Sequence, residues 1–483
     1  MADWRCPTNR RRAVLVKVPK IVILAVIGSI GCSSSTSPSS GTITVTLTVS
    51  PAHVADGDTL TVGAQAVPSG NVTVRLVVIR ATGALTITDS VTLNGAGPQS
   101  VTRHYAVPLQ TPPGSVNVTA TAHDGGVIDS AATTVFVLPY AYSSISAGGY
   151  HTCALTPDST AYCWGANAAR QLATRDTVSR GFPVAVATSV RFVALSAGGF
   201  HTCALTAAGA AYCWGGPDSV PKAVAGGITF ALLAAGGTNH ECGLTAAGIA
   251  YCWGDNRMGQ LGDSGTTSSA TPVAVAGGLT FTRISTGGAH SCGLTAAGSA
   301  YCWGFNNSGQ LGDSTIIDRS TPVAVKGAFT FSSLATGGLH SCGLTTTGAG
   351  YCWGANGAYQ LGDGTQLSHP TPAAVQTTVS FASLGSSVGS HTCGLTGSGL
   401  GYCWGDDVFG QIGDGATFSS APTPHAIAGA QTFAAVSGGS DHSCGVSSPH
   451  VAYCWGYNGN GQLGTGSVGG TTPTPVPVIG QIP

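Results

Sequence analysis

Charge is scarce in this chain: Asp, Glu, Lys and Arg together make up 8% of its 483 residues. Glutamate occurs once, as Glu241, and methionine twice. A chain so poor in long helix-forming side chains, and so rich in Thr, Val and Gly, is expected to be all-β. Basic clusters are missing as well. Six of the 18 Lys and Arg fall in the first 20 residues, and from Ser33 onward 12 basic side chains stand against 18 acidic ones. Binding to nucleic acid needs clustered Lys and Arg that displace counterions from phosphates, so no nucleic-acid partner is expected. The sequence holds no Gly-x-Ser-x-Gly elbow, phosphate loop or His-Glu-x-x-His, and its sparse carboxylates form no pair at a telling spacing. No catalytic residue, metal or other cofactor is implied.

Long apolar runs are absent too. Arg10-Arg11-Arg12 precedes an apolar stretch of about ten residues that opens at Ile21, too short to span a membrane. Residues 1–32 therefore read as an export signal. Ser29-Ile30-Gly31-Cys32 and the Ser-rich residues 33–41 resemble a bacterial lipoprotein signal and tether. That resemblance implies lipidation of Cys32 and membrane attachment through the lipid alone. The pattern departs at Ser29, where Leu is usual, so an ordinary cleaved signal peptide stays open, and the paired arginines faintly resemble a twin-arginine signal. The expected location is the cell envelope, lipid-anchored or secreted.

Residues 42–138 alternate apolar and polar side chains in short runs: Thr42–Val49, Leu60–Ala66, Val72–Ile79, Val116–Ala122 and Thr133–Val137. Period-two alternation is that of half-buried strands. Turn signals such as Asp56-Gly57, Asn94-Gly95 and Asp124-Gly125-Gly126 separate several of the runs. The segment resembles the immunoglobulin-like β-sandwich spacers of bacterial surface proteins, without a cysteine pair.

From residue 139 to 483 the sequence repeats. Fourteen cysteines form seven pairs, each ten apart: Cys153 and Cys163, Cys203 and Cys213, Cys242 and Cys252, Cys292 and Cys302, Cys342 and Cys352, Cys393 and Cys403, and Cys444 and Cys454. The first cysteines follow at intervals of 50, 39, 50, 50, 51 and 51, a period suited to a four-stranded propeller blade. In one clear copy, Ala296-Ala297-Gly298 suits a hairpin loop whose last position is left-handed. A hairpin centred on Ala297 sets Leu294 opposite Ala300 and Cys292 opposite Cys302. Opposed residues have Cα atoms about 4.5–5.5 Å apart, within reach of a disulfide. His290 shares a face with Cys292 and Cys302, so a His-Cys-Cys metal site is the rival reading. Export and the even pairing favour disulfides.

The frame Gly-Gly-x-His-(Ser/Thr)-Cys…Tyr-Cys-Trp-Gly-x-Asn-x-x-Gly-Gln-Leu-Gly-Asp, nearly complete from Gly287 to Asp313, resembles the regulator of chromosome condensation repeat family. The resemblance implies an all-β chain with a seven-bladed β-propeller after the small immunoglobulin-like β-sandwich. The first two repeats are degenerate, and the second lacks the Gly-Gln-Leu-Gly loop. Each repeat carries a Pro-x-x-Val-type strand, the last from Pro475. Because no Gly-Gly-x-His unit follows it, Pro475–Ile479 is expected to pair into the first blade.

Residues present in every repeat suit architecture rather than chemistry. The seven histidines, His151 to His442, are expected to bond backbone groups between blades, and the seven tryptophans after the second cysteines to pack there. Asp263, Asp313, Asp363 and Asp414 supply one carboxylate per loop, too few for calcium, and suit turn capping. Family functions need residues this chain lacks. Chromatin binding implies a basic surface, and a photoreceptor of the same fold has Trp before the histidine, where this chain has none. A secreted β-lactamase inhibitor of that fold implies gripping a protein with one ring face. The expectation is a non-catalytic module at the cell envelope that binds a protein. An envelope polysaccharide or peptidoglycan hydrolase or lyase with its site in the channel, and a purely structural surface protein, are the alternatives. A partner would be recognised where repeats differ, which singles out Tyr150, Phe200 and Leu339 before the histidines and Tyr457 after the last Trp-Gly.

Overall fold

The computed structural model describes residues 42–479, apart from 51–52, 55–58, 70–73, 84–85, 96, 107–113, 125–126, 138–140, 238–239, 386, 418–419 and 449. Cys32 and the rest of the expected export signal lie outside the described residues. Every regular element among the described residues is a strand. The chain divides into two units, the second running from Val137 to the C-terminus.

The first unit contains β1 (Ile43–Ser50), β2 (His53–Val54), β3 (Thr59–Pro68), β4 (Val74–Gly83), β5 (Ile87–Gly95), β6 (Gln99–Ala106), β7 (Gly114–Asp124) and β8 (Val127–Val137). They form two sheets, ordered β1-β3-β6 and β2-β8-β7-β4-β5. Alternation in the sequence becomes one buried face per sheet: Leu60, Val62, Ala64 and Ala66 on β3, and Val116, Val118, Ala120 and Ala122 on β7. Strands β5 and β6 were not among the expected runs. They are rich in Thr, Ser and other polar residues, and half-buried side chains alternate with exposed ones, so their apolar contrast is weak.

The second unit is seven four-stranded antiparallel sheets of consecutive strands. Blade 1 is β9 (Ser144–Ala147), β10 (His151–Leu155), β11 (Ala161–Gly165) and β12 (Arg180–Ala185). Blades 2 to 7 occupy Ala194–Ala223, Leu232–Ala274, Arg283–Ala324, Phe331–Ala374, Ser383–Ala426 and Phe433–Pro477. In blade 4, Cys292 opposes Cys302 and Leu294 opposes Ala300, and Gly298 takes φ +78° at the hairpin turn. The same register sets Cys153 against Cys163, Cys203 against Cys213, Cys242 against Cys252, Cys342 against Cys352, Cys393 against Cys403 and Cys444 against Cys454. In all seven hairpins the paired sulfurs lie at bonding distance, 2.06–2.15 Å. Their Cα atoms are 4.0–4.1 Å apart, closer than the expected spacing of opposed residues. The hairpin register expected from the ten-residue spacing is thus the one that all seven blades adopt.

Closure differs from expectation. The strand containing Pro475, Thr471–Pro477, pairs with Ala452–Tyr457 of blade 7, and blade 1 is completed by its own β12. Each Pro-bearing strand is thus the outer strand of the blade whose cysteine hairpin precedes it. Proline suits an outer strand, because the edge face makes no demand on its missing N–H. The ring closes through side chains and loops instead. Thr152 of blade 1 bonds His442 Nε2 (2.9 Å) and the Gln462 carbonyl (2.8 Å) of blade 7, and Trp164 Nε1 donates to that same carbonyl (2.9 Å).

Candidate functional site

The repeated residues are consumed by the seams between blades. His290 Nε2 lies 2.8 Å from Ser341 Oγ in the next blade, and Ser341 donates its own proton to the Gln310 carbonyl (2.9 Å). The hydroxyl oxygen is therefore an acceptor for Nε2–H, which fixes the neutral tautomer. The same contact recurs from His151 to Thr202, His240 to Ser291, His340 to Thr392, His391 to Ser443 and His442 to Thr152. The expected backbone partners are thus side-chain hydroxyls, because the residue after each histidine is aimed at the preceding blade. Burial holds His151, His290, His340 and His442 down to about 3, and His240 and His391 to about 4. A proton on Nδ1 would have no acceptor there, since that atom has no partner in these six rings.

Glycine lets the blades approach this closely. A Cβ on Gly149 would lie 2.5 Å from the Gly199 carbonyl oxygen, and one on Gly148 would strike the Gly198 carbonyl and the His151 ring, both at 2.5 Å. The tryptophans are buried as expected: those of blades 1, 2, 4, 5, 6 and 7 donate Nε1–H to the glutamine carbonyl of the preceding blade's loop at 2.9–3.1 Å. The loop aspartates cap their turns. Asp313 accepts the Thr315 N–H (3.0 Å) and pairs with Arg319 (2.8 Å), and Asp363 and Asp414 take His369 and His425 in the same way.

The seam between blades 2 and 3 departs from this scheme. Here Glu241 replaces the hydroxyl, and its carboxylate lies 2.8 Å from His201 Nε2. His201, Cys203 and Glu241 bring three potential ligand atoms within 4.8 Å of one another, but Cys203 is joined to Cys213. A thiolate would be needed before the group could hold a metal. The axial channel, about 140 Å³, is lined by the innermost strands, with hydroxyls such as Ser146, Ser196, Ser285 and Ser437 among small and aliphatic residues. Ser146, Ser196 and Ser437 each accept a backbone N–H from the next blade at 3.0 Å. The lining residues include no titratable side chain.

The positions that vary form a surface on the histidine end of the blades. The Tyr150 and Phe200 rings stand 6.4 Å apart, and Phe200 is 47% exposed. The Tyr457 N–H donates to the Asp441 carbonyl (2.9 Å) and the Ser440 N–H to the Gly149 carbonyl (3.2 Å), which brings Tyr457 to the blade edge that carries Tyr150; burial, Asp441 and Tyr457 push the Tyr150 hydroxyl up. Tyr457 also packs on Phe409 at 4.8 Å. An aromatic arc thus runs over blades 6, 7, 1 and 2. Asp441 borders it, its carboxyl raised by burial and by Asp406. Leu339 is 42% exposed at the equivalent place in blade 5, the blade that precedes that of Phe409. Phe409 was missed at the sequence level, although it occupies a varying loop position where other repeats carry Met258, Ser308 or Ala358.

Comparison with known proteins agrees with this architecture. Two descriptions of the Regulator of chromosome condensation (RCC1) repeat match, one at residues 142–171, 192–219, 231–260, 281–310 and 433–462, the other at 158–205, 247–294, 297–344 and 398–446. Among solved structures, Prp20p from Saccharomyces cerevisiae, described with its binding properties to Gsp1p and histones, is similar at 22% identity, over 62% of this chain and 80% of its own, with a TM-score of 0.55. Human WBSCR16 matches at 19% identity over 74% and 87%, with a TM-score of 0.46. Together the repeat matches span more than half of the sequence, and the chain belongs to the regulator of chromosome condensation (RCC1) repeat family of β-propellers.

Proposed function

We propose that this chain is an exported, non-catalytic module of the cell envelope that grips a partner protein with the arc of Phe409, Tyr457, Tyr150 and Phe200. One observation carries the reading: residues common to the repeats are spent on the seams, whereas this arc is built from varying positions and remains partly exposed. Exposed aromatic clusters are common binding hot spots. With Asp406 and Asp441 beside it, the arc suits a partner that offers Lys or Arg, whose cation meets both aromatic faces and carboxylates. Prp20p, a propeller with described protein partners, supports binding as the use of this fold. The first unit serves as an immunoglobulin-like spacer, a reading that its strand order supports. Lipid on Cys32 holds the protein at the membrane, and the seven cysteine pairs are oxidised after export.

The test begins with a partner recovered from envelope extracts on the full-length protein. Affinity is then measured for Tyr150→Ala with Phe200→Ala. A loss of about tenfold or more per residue, with folding intact, is expected. Unchanged affinity refutes the face. Globomycin-sensitive processing at Cys32 checks the anchor.

A further inference from the structure

Six of the seven seams are filled in one way. The Gly-Gln-Leu-Gly loop of one blade lies over the tryptophan of the next. Its glutamine carbonyl takes the indole N–H, and its aliphatic residue is fully buried, as for Leu311 and Ile412. The following glycine rests on the indole: a Cβ on Gly312 would meet Trp353 Nε1 at 2.8 Å. In blade 1, Ala173 fills that place at φ +52° and the contact is kept, with Trp214 Nε1 2.9 Å from the Gln171 carbonyl. A loop N–H also caps the outer strand of the next blade, as Ser314 does with the Pro370 carbonyl (2.9 Å) and Gly466 with that of Gly181 (2.7 Å).

Blade 2 has no such loop. Its third strand ends at Gly215 and its fourth begins at Asp218, and a Cβ on Gly216 would meet nothing within 4 Å. Trp253 of blade 3 consequently faces no glutamine carbonyl and is 5% exposed, against at most 1% for the other six. Directly opposite it in the hairpin stands Glu241, the chain's one glutamate, where other seams place a hydroxyl. A hydroxyl accepts from histidine and donates to the loop carbonyl. A carboxylate accepts from His201 but has no proton to give, so this seam presents one unfilled donor, the Trp253 N–H, next to a negative charge. Ala270, on the outer strand that a blade 2 loop would cap, is exposed.

We infer that the seam between blades 2 and 3 is a docking notch for a loop of a partner protein. That loop gives a backbone carbonyl to Trp253, an aliphatic side chain to the wall that leucine fills elsewhere, and a backbone N–H or cationic group to Glu241. An acidic loop is rejected by Glu241. The inference rests on the proposed protein-binding role and places an anchoring point beside Phe200 of the same blade.

The test uses the full-length protein with fluorinated tryptophan and a cyclised peptide of residues 256–262, Asn-Arg-Met-Gly-Gln-Leu-Gly. Saturable movement of the Trp253 resonance alone is expected, with at least tenfold weaker binding for the peptide carrying Leu261→Asp. A variant in which the blade 4 loop replaces Gly216-Pro217 should lose the peptide response and slow Trp253 indole hydrogen exchange to the rate of the other six. Two results overturn the inference: no movement of Trp253, or indole exchange already as slow as the rest before grafting. A Trp253 shift that depends on protein concentration without peptide assigns the notch to a second copy and overturns the partner assignment. A partner that is lost with Phe200→Ala yet kept by the grafted variant overturns the notch and leaves the aromatic face standing.

Discussion

Acidification should unfold the propeller through its ring of histidines. Six of them have native pKa values held at about 3 or 4 by burial, against 6.5 for a free imidazole. The native values are depressed, so between pH 6.5 and about 3 the unfolded chain binds more protons than the folded one. Stability is complete above that window and falls as pH falls through it. At pH 5 each histidine costs about 2 kcal/mol by this linkage, and six cost roughly 12, comparable with the whole stability of a typical domain. Asp176, Asp313 and Asp363 are depressed from a lower starting value, so their losses come later, below about pH 4. Urea unfolding at pH 7.5, 6.5, 5.5 and 5.0 reads the slope directly, and His290→Gln, whose amide still reaches Ser341, should remove about one proton from it. Unchanged stability between pH 7 and pH 5 would refute the account of the seams.

Three other perturbations follow from the same geometry. Asp407 stands where other repeats have a buried asparagine, accepts the Ile412 N–H (3.0 Å) and is raised to about 6 by burial and by Asp414. Stability is lost as pH rises through that value, so Asp407→Asn should stabilise by up to about 3 kcal/mol at pH 7 and by nothing below about pH 4; parallel denaturation curves check this. Gly288→Ala should cost about 3 kcal/mol or more in Tm-derived stability, because its Cβ would collide with the Gly338 carbonyl across the seam. Removing one cysteine pair, Cys292→Ala with Cys302→Ala, should cost roughly 2–3 kcal/mol through the unfolded state alone. Non-reducing peptide mapping should show every bridge linking cysteines ten apart.

The repeated spacing made the propeller legible, because ten residues around a glycine turn leave only one register for the cysteines. The same spacing set the tryptophan on the far side of its strand, where the seam with the preceding blade lies. Closure was not legible. The order of strands along the chain does not say whether a Pro-bearing strand joins the hairpin before it or the one after it, and the structure chooses the former. The partner of each histidine was in view but unread: Ser, Thr or Glu241 always follows it, and the strand aims that residue at the preceding blade. In the first unit β5 and β6 escaped notice because half-buried polar strands give little contrast. Tyr150, Phe200 and Tyr457 came together as closure of the ring suggested, and Leu339 did not join Phe200, since blades 3 and 4 separate them.

The most direct test is photo-crosslinking in intact cells from two positions at opposite ends of the blades. A photoreactive phenylalanine analogue at Phe200 lies on the aromatic arc, and one at Ala297 lies on the hairpin turn at the other end of its strands. Binding by the variable face predicts a discrete adduct with a protein of the cell envelope from Phe200, lost when Tyr150→Ala is added, and no such adduct from Ala297. Equal adducts from both positions, or an adduct from Ala297 alone, would contradict it.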